Sequence, residues 1–166
     1  TIIKGFTIQN GYSGTASAYG GGIRCMTEVK FESLVIRNNN AQFGCGIYLS
    51  GNNAVFRNSI ISYNEREVSN NGEGIGGFFK GDGILLENLF IHNNQGNNSS
   101  NGGGLYIKGT DNILRNSLVI NNQSTRGAGI YSDGGSIIYN VTIVENSASK
   151  DGGGVSLRSY GDTLRN

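Results

Sequence analysis

Proline and tryptophan are absent from this 166-residue chain, histidine and methionine occur once each, and cysteine occurs twice. Only 15% of the residues are charged and the formal net charge is +1, so there is no basic face of the kind that binds nucleic acid. No apolar run approaches the ~20 residues of a membrane span, and no signal peptide is visible. The single histidine, His92, has neither a nucleophile nor an acid at its own level in the repeat described below, which disfavours a metal centre or a Ser/His/Asp triad. It is expected to be a structural or surface residue. Nowhere does a helical period of apolar residues run through the sequence.

Glycine and asparagine are abundant instead. There are 28 glycines, and asparagines gather in runs such as Asn38-Asn39-Asn40. Both residue types tolerate positive φ, so without proline the chain turns often and by their means. Gly-x-Gly followed by an aliphatic residue occurs six times. The copies are Gly20-Gly21-Gly22-Ile23, Gly44-Cys45-Gly46-Ile47, Gly72-Glu73-Gly74-Ile75, Gly102-Gly103-Gly104-Leu105, Gly127-Ala128-Gly129-Ile130 and Gly152-Gly153-Gly154-Val155. Their third glycines are separated by 24, 28, 30, 25 and 25 residues, and repetition at such a period marks a solenoid.

Between the glycine motifs lies a second landmark, seen as Phe56-Arg57-Asn58-Ser59-Ile60-Ile61 and Leu114-Arg115-Asn116-Ser117-Leu118-Val119. Each repeat holds three short alternating segments, which predicts an all-β, right-handed, single-stranded parallel β-helix. It would have about six coils of 24–30 residues and three strands per coil. Equivalent residues then stack in columns. Phe31, Phe56, Leu86, Leu114 and Ile138 point into the core. Asn58, Asn88, Asn116 and Asn140, and likewise Asn39, Asn64, Asn94, Asn122 and Asn146, are expected as buried amide ladders at bends. Glu32, Arg57, Glu87 and Arg115 alternate in charge and read as a register device rather than as catalytic pairs. Cys25 and Cys45 fall roughly 13 Å apart along the strand direction, too far for a disulfide, and read as small apolar residues.

The outward residues after the glycine motifs include Tyr48, Phe78, Tyr106 and Tyr131, an expected exposed aromatic stripe. This alignment assumes that Lys80-Gly81 matches Lys108-Gly109. Two positions further on stand Lys80, Lys108, Asp133 and Arg158. Rings stack on sugar faces and basic groups meet carboxylates, so these eight residues are the candidate carbohydrate-binding set. Simple surface stacking of strand-favouring residues is the competing reading. No residue is assigned a catalytic or metal-binding role, and no cofactor is called for. The acidic residues Glu65, Glu67, Glu73 and Asp82 would offer oxygen ligands to calcium, though at no recognised spacing.

The pattern resembles the pectate-lyase-like superfamily of right-handed parallel β-helices. More narrowly, Asn40-Ala41-Gln42-Phe43-Gly44-Cys45-Gly46-Ile47, together with Asn146-Ser147-Ala148 before Gly152-Gly153-Gly154-Val155, looks like the polymorphic outer membrane protein repeat. The opening Lys4-Gly5-Phe6-Thr7-Ile8 is similar to coil openings of secreted bacterial β-helix proteins. This resemblance implies a secreted or cell-surface scaffold or adhesin-like module that meets a polysaccharide or a host or cell-surface partner. Its alternatives are a polysaccharide lyase or glycoside hydrolase and a purely structural stalk. The chain opens in strand-like Thr1-Ile2-Ile3 and stops in mid-repeat. Residues 1–166 are therefore expected to be a single β-helix segment from inside a longer protein.

Overall fold

A computed structural model describes residues 1–14, 18–66, 71–97 and 99–166. The described residues hold short strands and no helix, and every strand pairs in parallel with its equivalent one coil away. One coil runs through strand Leu105–Lys108, a tight turn, strand Asn112–Ile120, strand Gln123–Arg126, and back to Ile130–Asp133. Stacking these coils gives three sheets, of nine, six and four strands. The nine-stranded sheet is bent along its length.

Left-handed backbone makes the bends. Asn58, Asn88, Asn116 and Asn140 have φ between 51° and 53°, and break each long strand into two legs. A second set of such residues, Tyr63, Asn93, Asn121 and Glu145, precedes the next corner. The third bend is the first glycine of each motif, with φ from 55° to 68°. Asparagine and glycine carry this conformation at least cost. A Cβ placed on Gly127 would also stand 2.8 Å from Cβ of Tyr131, so this bend has no room for a side chain.

Coil three corrects the motif alignment. Its bend glycine is Gly74, with φ 61°, and Gly77 pairs with both Ile47 and Leu105. The structural copy is therefore Gly74-Ile75-Gly76-Gly77 rather than Gly72-Glu73-Gly74-Ile75. Gly77 can stand in an aliphatic column because the Phe79 ring, 2.5 Å from where its Cβ would be, fills the vacant volume. Phe78 and Lys80 fall beside Tyr106 and Lys108, as the alignment of Lys80-Gly81 with Lys108-Gly109 requires.

The interior is aliphatic and aromatic. Phe31, Phe56, Leu86, Leu114 and Ile138 are all buried in one core, with Phe56 touching the rings of Phe31 and Phe79 at 5.9 and 5.7 Å. Alongside runs the inner asparagine ladder. Asn64 Nδ2 donates to Asn94 Oδ1 at 2.9 Å and to the Ile36 carbonyl at 3.2 Å, while its backbone N–H donates to the same Asn94 Oδ1 at 3.1 Å. Asn94 repeats this arrangement onto Asn122. The third glycines yield space to it: a Cβ on Gly76 would lie 2.4 Å from the Gly104 carbonyl oxygen and 3.0 Å from Asn94 Nδ2.

The second asparagine column departs from expectation. Asn58, Asn88, Asn116 and Asn140 are exposed, because the left-handed bend turns their side chains outward from the rod. They still form amide contacts, with Asn88 Nδ2 donating to Asn58 Oδ1 at 3.0 Å and Asn140 Nδ2 to Asn116 Oδ1 at 2.6 Å. The alternating charge column is in register, and Glu32–Arg57 and Glu87–Arg115 close at 3.4 and 2.7 Å. Cys25 and Cys45 are free thiols. Burial pushes the Cys45 thiol up to about 12.

Candidate functional site

Tyr48, Phe78, Tyr106 and Tyr131 do stack as one column in consecutive coils, but the column is not exposed. Their relative exposures lie between 3% and 7%. The strand alternation places them on the outer side of their sheet, yet the glycine bend folds the preceding segment back across that side. Tyr19 and Phe43, each the residue just before a bend, pack on the column. Tyr19 lies 4.9 Å from Phe43 and 4.6 Å from Tyr48. Phe78 stacks on Tyr106 at 4.7 Å, and Tyr106 meets Tyr131 edge-on at 4.8 Å. The rings are a second core outside the first, and none offers an open face to a ligand.

The charged column at their edge is the accessible part. Lys80, Lys108 and Arg158 are exposed and Asp133 is half-buried between them. Asp133 Oδ2 accepts from the Tyr106 hydroxyl at 3.1 Å and pairs with Lys108 at 3.5 Å, while its Oδ1 accepts from Ser159 at 3.0 Å. Burial works to raise the Asp133 carboxyl. The hydrogen bonds from Ser159 and Tyr106 and the Lys108 ammonium outweigh it, and hold the group below its ordinary range. Tyr106 is driven far upward, first by burial and then by the charges of Glu73 and Asp133, so its hydroxyl remains a donor. Lys80 and Arg158 form no salt bridge among the described residues.

Glu73 joins this group from the other side of the glycine bend. Burial raises its carboxyl, with the charges of Lys108, Asp133 and Lys80 acting on it. Its carboxyl lies within electrostatic reach of Lys108, Asp133 and Lys80, while Asp133 is the carboxyl that the rim holds by direct contact. The sequence reading placed Glu73 among possible calcium ligands and not here, because the residue precedes the bend and no fixed spacing ties it to Asp133. Of the other possible calcium ligands, Glu67 lies outside the described residues. Asp82 spends one oxygen on the Thr110 backbone N–H at 2.8 Å. Among the described residues no three His, Cys, Asp or Glu side chains come together as a metal would need.

A family model described as a right handed beta helix region matches residues 1–166. No curated protein and no solved structure matches the chain significantly.

Proposed function

The chain belongs to this right-handed β-helix family, and from that premise we propose that it is an extracellular or cell-surface scaffold binding an acidic polysaccharide along the rim of Lys80, Lys108 and Arg158. Fold alone does not assign function. The observation that carries the reading is the group of exposed cations Lys80, Lys108 and Arg158 along one strand position, with Asp133 between Lys108 and Arg158 and paired to Lys108. Coil spacing sets these cations about 4.8 Å apart per coil, and they stand on a buried stack of rings that fixes their backbone. An extended polyanion meets such a row without any rearrangement of the protein. The rings of Tyr48, Phe78, Tyr106 and Tyr131 contribute by holding the rim, and Tyr106 does so directly through Asp133.

Calorimetric titration with polygalacturonate tests this. Binding is expected at low salt, to weaken as salt screens it, and to fall by about tenfold in a Lys80→Ala/Arg158→Ala double variant. No binding at low salt, or binding untouched by the double variant, sinks the proposal. A second reading, an enzyme acting on the same polymer, is the alternative that the β-helix resemblance keeps open. Release of reducing ends or unsaturated products from polygalacturonate separates it from simple binding.

A further inference from the structure

A different face of the rod carries a concavity. Where the outer asparagines bend the long strands, a shallow groove of about 540 Å³ runs across coils two to five. Its lining contains asparagine, serine, threonine and aliphatic residues with Phe90, and no charged residue at all. Ile60, Phe90 and Leu118 are cross-strand neighbours along it. Phe90 is 38% exposed, and its ring stacks on His92 at 4.2 Å, while His92 meets the ring of Tyr63 edge-on at 5.3 Å. Tyr63 is itself 54% exposed. These are the accessible rings that the buried aromatic column is not.

We propose that this uncharged groove is a second binding site, for a neutral polysaccharide chain lying along the rod axis. Three observations select that occupant. The groove offers no charge to a charged ligand, and in the neighbouring column Glu32–Arg57 and Glu87–Arg115 neutralise one another. The outer asparagines repeat a primary amide once per coil. Asn88, having given one Nδ2 proton to Asn58, keeps a second donor and its own oxygen for a pair of sugar hydroxyls. Phe90, braced by His92, supplies the flat apolar surface on which the C–H face of a pyranose rests. A peptide adding by strand pairing is disfavoured, because the strands here already pair on both sides within the sheet and leave no free edge.

The test is titration of the 166-residue chain with soluble neutral polymers, a β-glucan, a xylan and a galactomannan, and with polygalacturonate for contrast. At least one neutral polymer is expected to bind with an affinity indifferent to salt. Phe90→Ala is expected to weaken it by about tenfold, and Asn88→Gly, which keeps the bend and removes the amide, to weaken it as well. The Lys80→Ala/Arg158→Ala variant should bind the neutral polymer unchanged, which separates this site from the charged rim. The proposal is overturned if none of the neutral polymers binds, or if binding survives both Phe90→Ala and Asn88→Gly. It is equally overturned if sedimentation shows the groove closed by a second copy of the chain, with self-association lost in Phe90→Ala.

Discussion

Asn94 lies inside the rod and Asn88, earlier in the same coil, lies on its surface. Removing the Asn94 side chain withdraws the acceptor of both the Asn64 backbone N–H and the Asn64 amide, and the donor to the Ile61 carbonyl. Buried groups left unpaired cost about 1–3 kcal/mol each. Asn94→Ala is therefore expected to lower stability by about 3 kcal/mol, read as a drop in the urea midpoint. A midpoint within error of the parent would remove the inner ladder from the account of stability. Both asparagine columns show the same letter at the same period, so the sequence fixes that they stack. Which one is buried depends on the hand of the backbone at each bend, and tolerance of positive φ is a property of the residue type that both columns share. The glycines of coil three pose the same difficulty. Gly72, Gly74, Gly76 and Gly77 permit more than one register on paper, and the left-handed bend at Gly74, with the Phe79 ring filling the space over Gly77, selects one.

On the scale of single elements, the strand after each glycine bend was readable in its alternation and not in its exposure. Tyr106 lies on the outer side of its sheet, in a cluster apart from the main core. It is enclosed by its column neighbours Phe78 and Tyr131. The head of the column, Tyr48 and Phe78, is covered from the segment before the bend by Tyr19 and Phe43, which share no pattern with it. The same closure half-buries Glu73, whose raised carboxyl makes a definite demand on pH. A carboxyl whose folded-state pKa lies above its unfolded value binds protons more strongly in the native state. Stability from this group is then greatest at low pH, and declines as pH rises from the ordinary glutamate range through the raised native value. Glu73→Gln removes that penalty. The variant is expected to melt higher than the parent at neutral pH, with the difference shrinking as pH falls below the ordinary range. Equal melting temperatures at neutral pH would mean that Glu73 is solvated and faces away from the rim.

For the whole molecule, the glycine and asparagine periods alone were enough to give an all-β solenoid of about six coils, and the family match extends over the entire chain. A rod in which each coil touches only its neighbours has stability that sums over coils and interfaces. Deleting residues 105–129, one full repeat, joins Gly104 to Ile130 and brings Gly77 opposite Ile130 in place of Leu105. The inner ladder then passes from Asn94 to Asn146. The shortened chain is expected to keep a β-type circular dichroism spectrum and a cooperative melt, at a lower temperature than the parent. Loss of structure would show that the coils are not interchangeable.

The hydrogen bonds between coils all point along the rod axis. Tension on the two ends of such a rod peels the outermost coil from its neighbour instead of shearing many strands at once. A coil of about 25 residues, once freed, adds roughly 80 Å of slack at about 3.3 Å per residue. Under load the chain would lengthen coil by coil, absorbing work at each step. Since the bend residues and inner ladder recur in every coil, each released turn carries the local instructions for winding back when the load is gone.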